Sequence, residues 1–250
     1  MATLIPRTQS RVAEREAEIL RIAGEILATQ GLEALTMDNV LARVNFSKGT
    51  LYNHFTCRED LLVAFHAKCF SDHHAFFARG ALFHGRPRER FMAAGMGHDL
   101  KCMLDPQPFR FDLTEDILEA ASERWRDAFF ELHRETMGIF LGIARDGIAN
   151  GDLPARFTPE FVAAASWALS IGAEGLHDSG TVYRQLSRPE FSVVRRQMFL
   201  ALLDGFEWQP LSRSHDYEQV RLRILAEVYG PEAKQLGLLT QRVSGASAAS

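Results

Sequence analysis

Apolar residues recur along this chain at three- and four-residue spacing, and no stretch alternates long enough to make a strand. Helix therefore follows helix. Ile19, Ile22, Ala23, Ile26 and Leu27 form a first stripe, which Gly31 ends in the manner of a C-cap. Two short helices follow, then a longer one over 59–79. A loop rich in Gly, Pro and Arg at 85–88 precedes a fifth helix, which reaches Leu104 before Asp105, Pro106 and Pro108 break the pattern. Further helices are expected over 113–120 and 123–149, the latter closed by Asn150, Gly151, Asp152 and Pro154. Pro159 and Pro189 suit the first turn of a helix and open segments over 159–177 and 189–205. A last amphipathic helix covers 216–229, and the tail from 231 to 250, ending in Ser, Gly and Ala, is expected to fray. The fold class is all-α, with no internal repeat.

The densest chemistry lies in Thr36 to Leu62, which reads TMDNVLARVNFSKGTLYNHFTCREDLL. Thr36 can cap a short helix that buries Val40, Leu41 and Val44. Asn45 stands where a tight turn favours a left-handed residue, and Ser47 can cap a second short helix over 48–54. Two short helices joined by a tight turn make a helix-turn-helix. The second is a poor core helix, because Lys48, Thr50, Asn53 and His54 are polar and only Leu51 and Phe55 serve as inward anchors. Gly49 costs it roughly 1 kcal/mol relative to alanine, a sacrifice that makes sense where the backbone must approach another surface closely. Thr56 with Glu59 has the spacing of a capping box at the start of the next helix.

Composition tempers this reading more than it supports it. With 28 Lys and Arg against 32 Asp and Glu, the net charge of -4 excludes a surface coated in positive charge, so any basic surface is local. Thr36 to Arg58 does carry three bases (Arg43, Lys48, Arg58) against one acid, Asp38. The N-terminal arm adds Arg7 and Arg11 with no acid. Cys57, Cys69 and Cys102 are odd in number and lack C-x-x-C spacing, so no disulfide framework or zinc signature is expected. His73-His74 beside Asp72, with His66, His98, His133 and His177, match no familiar metal spacing either, so no metal or other cofactor is expected. Motifs of nucleophilic, phosphate-binding and zinc hydrolases are absent, and catalysis is not expected. No secretion signal begins the sequence and no apolar run is long enough to span a bilayer, which points to a cytoplasmic protein with no membrane partner.

Gly31, Thr36, the run Ser47-Lys48-Gly49-Thr50-Leu51-Tyr52-Asn53-His54-Phe55, and then Glu59 with Leu61-Leu62 resemble the DNA-binding domain of the tetracycline-repressor (TetR) family. The resemblance covers about residues 10–65. Leu41, Val44, Asn45, Phe46 and Cys57 depart from the family's usual residues. The resemblance implies that Thr36, Lys48, Tyr52 and His54 contact phosphates. It implies that Gly49, Thr50 and Asn53 face base edges, with Ser47 at the helix N-terminus. For Tyr52, packing between the third and fourth helices is the competing reading, and for Phe55 it is the preferred one.

The resemblance also implies an architecture. Residues 1–62 would form a three-helix DNA-binding domain with a flexible arm, 63–230 a larger helical domain for effector binding and dimerisation, and 231–250 the tail. The partners it implies are a near-palindromic double-stranded operator, a second copy of the chain meeting through 159–177 and 189–206, and an unidentified small effector. Repression is favoured, with activation as the alternative. Phe91, Met92, Met96, Met103, Phe109, Phe111, Trp125, Phe129, Phe130, Met137, Phe140 and Trp167 would suit a hydrophobic effector, although each taken singly is more often core than cavity lining. Gly138, Gly142 and Gly147 would make room in the seventh helix, or pack closely. Cys57, at a helix N-terminus beside Arg58, has the setting of a thiol with a lowered pKa, so redox response is a further alternative.

Overall fold

A computed structural model describes residues 7–105, 113–179 and 185–239. Its helices are α1 (Arg7–Gln30), α2 (Met37–Leu41), α3 (Lys48–His54), α4 (Arg58–Ala81), α5 (Pro87–Leu104), α6 (Glu115–Ala120), α7 (Glu123–Ala149), α8 (Pro159–Asp178), α9 (Arg188–Gly205), α10 (Tyr217–Glu227) and α11 (Gly230–Gln235). Among the described residues there is no strand, and the expected helices are all present. Of the expected N-terminal arm, residues 1–6 lie outside the described ones, and the backbone is helical from Arg7 onward.

The chain divides into two compact units, residues 1–71 with 107–133 and residues 72–106 with 134–250. The expected boundary at 62 thus falls inside α4, which, like α7, contributes to both units. In the first unit Ile19, Ile22, Ala23, Ile26 and Leu27 of α1 bury against Leu35, Val40, Leu51, Phe55, Leu61 and Leu62. Leu113, Ile117 and Trp125 join that core from far along the chain. Sequence reading assigns these three to the other domain.

In the second unit α5 carries a buried Arg88 whose guanidinium donates to the Trp208 carbonyl and pairs with Asp204 Oδ1 at 2.7 Å. Its charge also lies over the Tyr217 ring, 4.6 Å from the centroid. Phe140 meets Phe77 and Phe91 edge-on, each at 5.2 Å, and Phe91 packs on Trp208 at 5.1 Å. Close packing explains Gly147, since a Cβ there would sit 2.9 Å from the Trp208 ring nitrogen. Gly138 and Gly142 face open space instead.

The tail departs from expectation. Pro231 sits in the first turn of α11, Ala233 is buried, and the Leu238 amide donates to the Ala233 carbonyl at 2.8 Å. Glu232 anchors this turn by accepting from Arg79. The fraying expected from 231 therefore does not hold as far as Leu239, and residues 240–250 lie outside the described ones.

Candidate nucleic-acid interface

The turn between α2 and α3 is built by its caps. Thr36 Oγ1 accepts from the Asn39 amide at 3.1 Å, and Ser47 Oγ accepts from the Thr50 amide at 3.2 Å. Each satisfies a donor that the first turn of a helix leaves unpaired. Asn45 does not take the left-handed conformation expected of it, because Glu207 is the one non-glycine residue with positive φ among those described. The bend between the helices is made without it.

The α3 helix then splits its side chains between two faces. Leu51 and Phe55 are fully buried, as their role as anchors requires. Ser47, Lys48, Gly49, Tyr52 and Asn53 are exposed, and Thr36 and Thr50 partly so. The Lys48 ammonium lies 5.4 Å from the centre of the Tyr52 ring, so these two form one cationic, aromatic edge. Tyr52 is thus a surface residue. A Cβ on Gly49 would meet no protein atom but Ser47 Oγ, at 3.9 Å. Nothing inside the protein demands a glycine there.

His54 is the exception among the eight expected contact residues. It is buried, and its Nδ1 faces Glu16 Oε1 of α1 at 3.1 Å. Its carbonyl accepts from Trp125 Nε1 at 3.3 Å. The cause is helical spacing. His54 lies three residues after Leu51, on the anchored face. As placed, it supports the helix from behind and is turned away from the exposed edge that would meet phosphate.

The other supports are also polar. Glu16 accepts from Arg124 Nη2 at 2.9 Å, and the Trp125 ring stacks on Phe55 at 4.9 Å with an interplanar angle of 6°. Asp60 is fully buried. Its Oδ2 accepts from the amide and hydroxyl of Thr56 at 2.7 and 2.9 Å, and its Oδ1 from the Ser122 amide at 2.7 Å. This replaces the capping box expected from Thr56 and Glu59, since Asp60 is the carboxylate that reaches back. Burial opposes the Asp60 charge, but the bonds from Ser122 and Thr56 outweigh it and hold the carboxyl below its ordinary pKa. Arg58, counted among the local bases, donates to the carbonyls of Leu35 and Leu32 at 2.8 and 2.9 Å, so it fastens the head.

Cys57 behaves differently from expectation. Its Sγ faces the Ala120 carbonyl at 3.6 Å, and its pKa is raised, chiefly by burial, with the charges of Asp60 and Glu59 adding to the effect. Bonds to the Asp60 amide and to Thr56 offset this only in part. The thiol is held protonated, which removes the basis for a lowered-pKa redox switch at the head. Nearby, His66 and His133 pack among Phe70 and Phe129, with His133 stacked on Phe70 at 4.1 Å, and burial pushes the His133 pKa down. These are packing histidines.

Fold and head together define an all-α protein whose short, capped second helix presents a polar edge beside a tight turn. Residues 19–65 match the model of the tetR family of bacterial regulatory proteins. A stretch of 59 residues is 32% identical to the HTH-type transcriptional repressor KstR2 of Mycolicibacterium smegmatis, covering 24% of this chain and 29% of that protein. The match thus spans less than a third of the length of that relative. Two solved structures share the fold more widely. A TetR/AcrR-family regulator from Thermobifida fusca superposes with a TM-score of 0.53 at 22% identity, over 77% of this chain and 98% of that one. A tetR-family regulatory protein from Rhodococcus RHA1 does so with a TM-score of 0.55 at 22% identity, over 76% and 96%. Over residues 19–65 the chain is thus similar to the tetR family of bacterial regulatory proteins.

Proposed function

We propose that the protein is a transcriptional repressor that binds a near-palindromic operator as a homodimer and is modulated by a small hydrophobic effector. The observation that carries this reading is the exposed edge of α3. Lys48, Gly49, Tyr52 and Asn53 stand free of the core while Leu51, His54 and Phe55 fix the helix from behind. Lys48 and Tyr52, with Thr36, are placed to take phosphates and so set the register. Gly49, Thr50 and Asn53, with Ser47 at the helix start, are placed to read base edges. A net charge of -4 over the chain, with Lys48 exposed at this edge, favours salt-sensitive binding at chosen sites over broad affinity for any duplex.

Dimerisation is supported by the surface of α8. Phe161, Ala164, Ala168, Ile171, Gly172 and Gly175 fall on one helical stripe and are all exposed, with Ile171 at 58%. Val193 of α9 is also exposed. Such a face, repeated on a second copy, would build an isologous interface and place two short recognition helices on one duplex. For the effector, support comes from the aromatic cluster of Phe77, Phe91, Phe140 and Trp167 in the second unit. Phe109 and Phe111, also expected to contribute, lie outside the described residues. The KstR2 match is to a repressor, which favours repression over activation.

Selection from random double-stranded DNA tests this reading. The expected result is an enriched inverted repeat that Tyr52→Ala and Lys48→Ala fail to enrich while remaining folded. Enrichment of no sequence, or equal enrichment by both variants, would refute it.

A further inference from the structure

A cluster outside the head brings together residues that sequence spacing leaves apart. His98 and Cys102 stand one turn apart on α5, so their side chains share a face. His73, on the part of α4 that belongs to the same unit, lies against them, its ring centre 4.8 Å from that of His98. One ligating atom from each of the three lies within 4.8 Å of the others. The helices can approach this closely because they meet at glycines. A Cβ on Gly80 would lie 2.5 Å from the Ala93 backbone, and one on Gly97 would lie 2.9 Å from the Phe76 carbonyl oxygen.

We propose that His73, His98 and Cys102 bind one divalent ion of the zinc class, leaving one coordination position open. The separations carry the argument. Cys102 Sγ and His98 Nε2 are 3.6 Å apart. A tetrahedral zinc with Zn–S of about 2.3 Å and Zn–N of about 2.0–2.1 Å sets sulfur and nitrogen about 3.6 Å apart. That pair already stands at chelating distance. His73 offers a ring nitrogen within 4.8 Å of the other two ligand atoms, and it completes the site by closing up to about 1.5 Å.

Donor chemistry selects the ion. Two imidazoles and a thiolate suit zinc, whereas magnesium and calcium require oxygen. Cys102 is buried and both histidines are partly so, which shields the thiolate while leaving a way in. Lys101 faces Asp72 and Asp105, and Arg195 faces Asp99 and Glu174, so the cations on these neighbouring elements are held by carboxylates.

The test is a Co(II) titration of the full chain, followed by the thiolate-to-cobalt absorption band and by competition of Zn(II) against a chromophoric chelator. One equivalent per chain is expected, with the band present. The double variant Cys57→Ser/Cys69→Ser, whose remaining thiol is Cys102, keeps the band. Cys102→Ser abolishes it and weakens Zn(II) binding by more than the roughly 100-fold that loss of an outer partner can cost. His98→Ala has the same effect. Absence of the band in the wild-type chain would overturn the proposal. So would its disappearance in the double variant, whatever becomes of Cys102→Ser.

Discussion

Asp60 gathers three donors onto one buried carboxylate and so joins the start of α4 to the segment ahead of α7. Its folded pKa is depressed, so its stabilising contribution is complete above the unfolded pKa, about pH 4. Below that the unfolded chain binds the proton more readily, and the contribution is lost as pH falls through the folded value. Asp60→Asn is therefore expected to cost on the order of 2–3 kcal/mol at neutral pH in urea denaturation. The gap from wild type should narrow as pH falls below about 4. A gap that widened on acidification would contradict the charged assignment. At this scale the sequence discloses local bonds and hides distant ones. Thr36 and Ser47 cap donors three residues away and were legible. Asp60 finds Ser122 62 residues on, and His54 finds Glu16 38 residues back, so neither partner follows from local pattern.

The α3 helix illustrates how an element can be held firmly and still be intrinsically poor. Phe55 and Trp125 stack behind it and His54 is fixed to α1, while Gly49 weakens its own helix with no steric reason inside the protein. Gly49→Ala should raise thermal stability, by up to about 1 kcal/mol, and at the same time weaken DNA binding. Unchanged DNA affinity in a stabilised variant would show that no close approach is made there. Apolar residues at three- and four-residue spacing, bounded by glycine and proline, located the long helices. That spacing could not assign α6 and the start of α7 to the head, since Leu113, Ile117 and Trp125 are equally apolar whichever core receives them. His98 and Cys102 carried a signal in their spacing of four, but His73 reaches them only through the α4–α5 crossing.

At the level of the whole molecule, the proposed operator binding requires two chains. The stripe along α8 leaves large apolar groups in water, Phe161 at 55% and Ile171 at 58% exposed, which a monomer has little reason to keep. Ile171→Asp with Leu176→Asp should convert a dimer to monomer in sedimentation velocity and lower operator affinity, with helical content unchanged. A variant that stays dimeric would place the interface elsewhere. The segment 159–177 was expected from the family resemblance to meet a second copy, but which of its residues stay exposed was not readable from local pattern. Whether the chain's aromatic residues line a cavity was not readable either, since an aromatic in a core and one lining a cavity look the same in the sequence.

The most direct measurement is an anisotropy titration of wild type and Lys48→Ala against the selected duplex over a range of salt concentrations. The account predicts saturable binding of two chains per duplex. Lys48→Ala should weaken it and make the slope of log affinity on log salt shallower by about one. Equal affinity and equal slope for the two proteins would mean that the exposed edge of α3 does not meet DNA.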